Sequence, residues 1–385
     1  MLLLIVKRLG PMLVALGLFW LTIMSIRTVT QAIADYFWLK PGVIEAAGLT
    51  QPPEVLLGSI FQHKALETID VLPMFGSSEL ATGHDFNPTR VFESRPTSFT
   101  PFIIARGFCQ TLVHILNISA QNNIKDRKIV IPLTPDLFAN IQGIPNDKFA
   151  MNSSPLKVYA EEDYLLKEYL ATYKSPDWKS SLKRLFLLPL ARLEYASLQI
   201  QDALNVKKAS TKLDRRMVTK LASPTPIKPV DWEKLKEQAV IQGKAKMTNA
   251  LNIEDVRYAQ DVKPSTKNSQ VGVKKLTPSV EYDDLKLMLD LVREKQVKPL
   301  FVVLPYNGLY YGDYNGLSLV LRQAYYQKVS QMIHEAGFEY VDLTSHEREL
   351  YYMQDPWHLG WKGWAELDQI LDKFYHDQPI SVHGQ

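Results

Sequence analysis

The spacing of apolar residues changes along the chain, and each spacing predicts a different kind of element. Leu9 to Ile26 (LGPMLVALGLFWLTIMSI) is continuously uncharged. As a helix it would extend roughly 27 Å at about 1.5 Å per residue, close to the thickness of a bilayer core. Beyond it, short β-branched runs alternate with stretches whose apolar residues recur at three and four. The runs Ile69 to Phe75, Phe102 to Ala105, Lys128 to Pro132, Leu300 to Leu304 and Glu339 to Leu343 read as buried strands. Gln110 to Ile118, Tyr282 to Val297, Leu319 to Ala336 and Trp361 to Tyr375 read as amphipathic helices. Strand and helix in alternation are the pattern of a doubly wound, mainly parallel α/β sheet.

The middle of the chain breaks that rhythm. From about 149 to 277 there are helical and loop patterns but no run resembling a buried strand, so this stretch is expected to be a mainly helical insertion. It carries a basic cluster, Lys207, Lys208, Lys212, Arg215, Arg216 and Lys220 against Asp214, followed by the loop-like Ser223-Pro224-Thr225-Pro226. A solvated helix face accounts for the cluster; contact with lipid headgroups or a phosphate-rich polymer is the functional alternative.

Composition supports a folded chain, with 46% hydrophobic and 22% charged residues among 385. Charge refines the reading of the apolar run. Of the 44 Lys and Arg, three (Lys7, Arg8 and Arg27) lie in the first 27 residues, which hold no acid, and the remainder balances at 41 of each sign. A balanced remainder gives no argument for nucleic acid. Lys7 and Arg8 before the run, with only Arg27 after it, orient a membrane anchor over 1–27 with its amino end in the cytoplasm and residues 28–385 outside. A cleaved signal peptide is the rival, because Ala32-Ile33-Ala34 has the small-x-small form of a cleavage site. Cys109 is the sole cysteine, which excludes an intrachain disulfide and a cysteine-built zinc site.

Candidate chemistry lies at two places far apart in sequence. Phe75-Gly76-Ser77-Ser78-Glu79-Leu80 ends a predicted strand with a glycine and two hydroxyl residues. Such a turn can lift a serine to the carboxyl edge of the sheet, or it can simply cap a helix. Asp355-Pro356-Trp357-His358 precedes the last predicted helix. There Asp355 can orient the His358 imidazole as a general base, or serve as a helix N-cap with Pro356 at the first helical position. The other seven histidines (63, 84, 114, 334, 346, 376 and 383) show no such partner and are expected at the surface or in the core.

Gly76-Ser77-Ser78-Glu79-Leu80, Pro305-Tyr306-Asn307-Gly308 and Asp355 to Trp364 (DPWHLGWKGW), together with the anchor, the motif order and the length, resemble the DltD proteins. The resemblance covers most of the chain. It implies a part in the D-alanylation of teichoic acids, lipoteichoic acid among them, in Gram-positive bacteria, with a catalytic domain similar to SGNH hydrolases outside the membrane. A Ser-His-Asp triad is implied, with Asp355 and His358 matching the closing Asp-x-x-His. The third position of the Gly-x-Ser block falls on Ser78, with Ser77 as its rival. Gly107 and Asn307 correspond to the oxyanion-hole positions, although they also read as a turn glycine and half of a turn dipeptide.

The implied reaction is acyl transfer from a D-alanyl donor through a D-alanyl-serine ester. Alternatives are an esterase or thioesterase that removes D-alanine from a mischarged carrier protein, and a non-catalytic assembly module. Glu79 is a candidate partner for the ammonium of D-alanine or a first-turn helix carboxylate. Trp357, Trp361, Tyr306, Tyr310 and Tyr311 are candidates for apolar walls around the site, or for core. Neither a metal nor another cofactor is implied. The partners implied are a membrane O-acyltransferase and a small membrane peptide.

Overall fold

The computed structural model describes residues 2–380 apart from 57, 81–82, 95–96, 122–123, 140, 154–180, 224–225 and 265–277. The insertion expected over 149–277 and the Pro224-Thr225 loop lie partly outside the described residues, and His383 wholly so. The chain opens with helix α1 (Leu2–Phe37), α2 (Val43–Thr50) and α3 (Ser59–Glu67), then strand β1 (Val71–Gly76), α4 (Pro88–Ser94), β2 (Thr100–Ala105), α5 (Thr111–Ser119) and β3 (Lys128–Leu133). The described middle is helical: α6 (Ser181–Lys212), α7 (Arg215–Ala222) and α8 (Trp232–Lys246). Then come α9 (Glu281–Glu294), β4 (Lys298–Val303), α10 (Leu319–Glu335), β5 (Tyr340–Asp342) and α11 (Trp361–Tyr375).

The strands form one all-parallel sheet in the order β2-β1-β3-β4-β5. Near-continuous burial explains why these segments read as apolar runs rather than alternating ones. Residues Val71, Phe75, Phe102 and Phe301 join one core layer with α2, α3, α5, α9 and α10. Leu72, Met74, Ile103 and Val302 point the other way, into a layer shared with α4, α8 and α11. Each such side chain removed from water contributes about 1.5–3 kcal/mol, so the alternation along the strands fastens both helical layers. Helix α8, which belongs to the expected helical insertion, packs against α11 over the sheet through Leu235 and Ala239.

The order 2-1-3-4-5 fixes where a ligand is expected. The chain leaves β1 toward β2 on one side and returns to β3 on the other, so the crevice at their carboxyl ends is the topological switch point.

Helix α1 is longer than the apolar run suggested. Its candidate membrane span, Leu9–Phe37, has 29 residues, about 43 Å of helix at 1.5 Å per residue, against about 30 Å of bilayer core. The surplus turns pack on the α/β body: Thr30 and Ala34 are buried, and the Arg27 guanidinium donates to the Ala120 carbonyl. The Ala32-Ile33-Ala34 triplet is therefore helical, with Ala34 in the core. In the basic cluster, Lys208 and Lys212 pair with Glu54, whose pKa they pull down to about 2, and Asp214 caps α7 by accepting the Arg216 N–H.

Candidate active site

Strand β1 ends at Gly76, and residues 77–80 form a tight turn rather than a helix, with the Leu80 N–H donating to the Ser77 carbonyl at 3.3 Å. A Cβ at position 76 would lie 2.6 Å from both Glu79 Oε1 and Leu80 Cδ1, so a larger residue would push those two side chains out of the turn. The turn separates the two serines. Ser77 is buried, and its hydroxyl donates to the Arg106 carbonyl at 3.3 Å. Ser78 is half-buried, with Oγ 3.1 Å from His358 Nε2. The structure thus brings Ser78, not Ser77, to the imidazole.

His358 lies on a loop closed by the antiparallel bridge between Met353 and Leu359 and by the Gln354 N–H donating to the His358 carbonyl at 2.8 Å. Asp355 organises the loop tip. Its Oδ1 accepts the backbone N–H groups of Trp357 (3.0 Å) and His358 (2.9 Å), and its Oδ2 lies 2.6 Å from His358 Nδ1. Asp355 is therefore not a helix cap; α11 begins six residues later, after Gly360. A carboxylate only accepts, so Nδ1 carries the proton. In the neutral ring Nε2 is then an acceptor, and the Ser78 O–H donates to it. Asp355 is almost wholly buried, while His358 keeps 12% of its side chain exposed.

The two expected oxyanion positions differ. Gly107 sits on the turn after β2, next to Arg106, with nothing within 4 Å of where a Cβ would be. Asn307 is buried and heavily engaged. Its Oδ1 accepts from the Leu309 and Tyr310 N–H groups at 3.0 Å, its Nδ2 donates to the Leu251 carbonyl at 3.2 Å, and its backbone N–H donates to the Pro356 carbonyl at 3.0 Å. It braces the His358 loop from behind.

Glu79 does not lie in a helical first turn. Its carboxylate is buried, Oε1 accepts the Ser77 N–H at 2.6 Å, and burial pushes its pKa up. His114 is buried in α5 with Nε2 2.9 Å from the Gly76 carbonyl oxygen, and burial holds its pKa down to about 4. A histidine amid the otherwise apolar run Leu112 to Leu116 would need a buried partner, which is the one trace of this contact in the sequence. Of the aromatic candidates, Trp361, Tyr306, Tyr310 and Tyr311 are core, and Trp357 is partly exposed beside His358.

Among the described residues, no group of three or more His, Cys, Asp or Glu is placed to hold a metal. A cavity of about 630 Å³ opens among Lys128, Lys298, Tyr340 and Phe374. It lies at the amino ends of β3 to β5, away from Ser78, and its Lys128 ammonium is already bound to Asp377 and two carbonyls.

The family model for the DltD protein matches residues 48–163 and 159–376. The chain belongs to the DltD family. It is similar to Protein DltD of Bacillus subtilis (strain 168), with 30% identity over 353 residues covering 84% of this chain and 87% of that one. Protein DltD of Staphylococcus aureus (strain NCTC 8325 / PS 47) is 26% identical over 355 residues, covering 85% and 86%. That of Lacticaseibacillus rhamnosus is 24% identical over 393 residues, covering 96% and 90%. With DltD membership goes the family's process, the D-alanylation of teichoic acids in Gram-positive bacteria.

Proposed function

We propose that this DltD chain transfers D-alanine to teichoic acid through an ester on Ser78, outside the membrane in which α1 anchors it. The observation that carries the reading is the hydrogen-bonded line from Ser78 Oγ to His358 Nε2 (3.1 Å) and from His358 Nδ1 to Asp355 Oδ2 (2.6 Å). It joins residues 280 positions apart at the switch-point end of β1.

In the first half-reaction the Ser78 oxygen bonds to the D-alanyl carbonyl carbon as His358 Nε2 takes the hydroxyl proton. Asp355 stabilises the resulting imidazolium. Collapse breaks the bond to the donor's leaving group, which takes the proton from His358. In the second half, a hydroxyl of the polymer gives its proton to His358 and attacks the same carbon, and Ser78 leaves with that proton. The backbone N–H groups of Ser78 and Gly107 are the proposed oxyanion donors, each contributing about 3 kcal/mol when aligned. Asn307 joins them only through its remaining Nδ2 hydrogen. The membrane O-acyltransferase and the small membrane peptide implied by the family enter as suppliers of the D-alanyl donor.

The test is peptide mass mapping of protein exposed to a D-alanyl donor, with Ser78→Ala as the control. The expected result is an acyl adduct on the peptide holding Ser78, absent from the variant, with turnover lower by roughly 10³-fold or more and an unchanged circular dichroism spectrum. Free D-alanine as the sole product despite abundant acceptor polymer would replace transfer with hydrolysis. Full turnover in Ser78→Ala would sink the mechanism.

A further inference from the structure

The Gly76–Ser77 peptide, one residue before Ser78, is held at both ends by buried side chains. The Gly76 carbonyl is 2.9 Å from His114 Nε2, and the N–H of the same peptide, on Ser77, donates to Glu79 Oε1 at 2.6 Å. A carbonyl only accepts, so His114 is the Nε2–H tautomer; its Nδ1 faces the Cys109 sulfur at 4.0 Å. Both side chains are nearly inaccessible, at 3% and 2% exposure. Among the described residues neither forms an ion pair and Glu79 Oε2 has no hydrogen-bond partner. A buried, half-satisfied carboxylate costs stability. Its retention next to Ser78 calls for a return, and what it touches is the backbone of the serine turn.

We infer that Glu79 and His114 are positioning residues that clamp the Gly76–Ser77 peptide, so fixing where Ser78 Oγ and its N–H point. The inference rests on the proposed role of Ser78 and adds to it two residues that never meet substrate. The clamp works through geometry. With that peptide plane fixed, only the torsions of Ser77, whose hydroxyl is itself tied to the Arg106 carbonyl, and those of Ser78 stand between the clamp and Ser78 Oγ, which stays within reach of His358. A third strut, from Ser77 Oγ to the Arg106 carbonyl, ties the same turn to the loop bearing Gly107. The Gly76 backbone can lie against Glu79 only because position 76 lacks a Cβ.

The experiment measures the rate at which a fluorophosphonate labels Ser78, together with kcat and KM for a D-alanyl ester, in the full chain. Glu79→Leu and His114→Leu remove one jaw each. Glu79→Gln and His114→Gln each retain the contacting oxygen or N–H. Glu79→Asp keeps the carboxyl group but shortens the arm. The expected result is a labelling rate and kcat lower by about 10- to 100-fold in both Leu variants and in Glu79→Asp, with KM within about twofold, because sub-ångström misplacement acts on the reacting geometry. The Gln variants retain the wild-type rates within about threefold, since their contacts persist. The double Leu variant is close to the worse single one, because both act on one peptide.

Circular dichroism and thermal unfolding establish that each variant is folded at the assay temperature. If a Leu variant is not, Glu79→Asp and the two Gln variants carry the test. Wild-type labelling in Glu79→Asp, a Gln variant as impaired as its Leu counterpart, or a rise in KM at constant kcat would overturn the clamp. Wild-type protein that does not label at Ser78 fails differently: it overturns the proposed role of Ser78, and the clamp with it.

Discussion

The carboxyl ends of β1 and β4 face the same edge of one sheet, and both are rich in polar side chains, yet they finish differently. Beyond β4 the amide and charged groups mostly answer one another, although the buried Tyr306 hydroxyl has no hydrogen-bond partner among the described residues. Asn307 uses its oxygen, its amide and its backbone N–H on protein partners, Arg322 grips Glu347 at 2.9 Å through two nitrogens, and Arg348 does the same with Asp313. Beyond β1 the supporting groups, Glu79, His114 and Ser77, are turned inward, while Ser78 and His358 retain exposure. A closed polar network stabilises a loop. An open one, propped from behind, leaves a hydroxyl and an imidazole for something outside. The same residue types thus serve structure or chemistry according to how fully the protein itself satisfies them.

The contrast can be broken most forcefully at Asp355. Asp355→Asn should leave the loop folded but favour the wrong imidazole tautomer, lowering ester turnover by roughly 10⁴-fold; steady-state kinetics against thermal unfolding of the same sample reads both. At the β4 end the opposite pattern is expected. Arg322→Met leaves the largely buried Glu347 carboxylate without its cation, with the Tyr326 hydroxyl still donating to it, at a cost of about 3 kcal/mol, seen as a Tm several degrees lower, with turnover per folded molecule nearly unchanged. Should Arg322→Met cut turnover as deeply as Asp355→Asn, the two ends would not be separable.

A smaller effect is expected from Glu281, which belongs to neither end and caps α5 by accepting the Thr111 N–H at 3.0 Å. Burial raises its pKa from 4.5 to about 7. The folded chain therefore holds a proton there that the unfolded chain has released, so stability is fullest at low pH and falls as pH rises from about 4.5 to 7. Glu281→Gln should flatten that slope by about 1–3 kcal/mol in denaturant titrations across the window. The smallest change is expected from Ser77→Ala, which loses one long hydrogen bond of about 0.5–1 kcal/mol and slows Ser78 labelling only a few-fold. Abolished labelling in that variant would reverse the assignment of the two serines.

The sheet was legible because its strands are buried on both faces: Lys128 to Pro132 and Leu300 to Leu304 show as apolar runs and appear as β3 and β4 within one or two residues. Helix α11 matches its expected bounds because Trp361, Trp364, Leu367 and Leu371 mark one buried face. The short helix α4 was missed; seven residues hold too few turns for a period to show. Helix α8 read only as part of a mainly helical insertion, and only the fold reveals that its Leu235 and Ala239 cover the sheet.

At the site, Asp355 and His358 are close because they are neighbours in sequence, which made their pairing readable. The inward turn of Ser77 was not, because it depends on the Arg106 carbonyl, 29 residues later. Nor did the sequence disclose that Glu79 bends back onto the residue two before it.

The order of synthesis gives the long separation of Ser78 and His358 a consequence. A growing polypeptide presents its serine turn some 280 residues before the imidazole that faces it has been made. Until the last stretch has emerged and closed its hairpin over the sheet edge, Ser78 has no imidazole beside it. Any fragment ending ahead of Asp355 carries Ser78 without the imidazole that the proposed mechanism sets against it, so on that proposal the reactive pair exists only once His358 has been made.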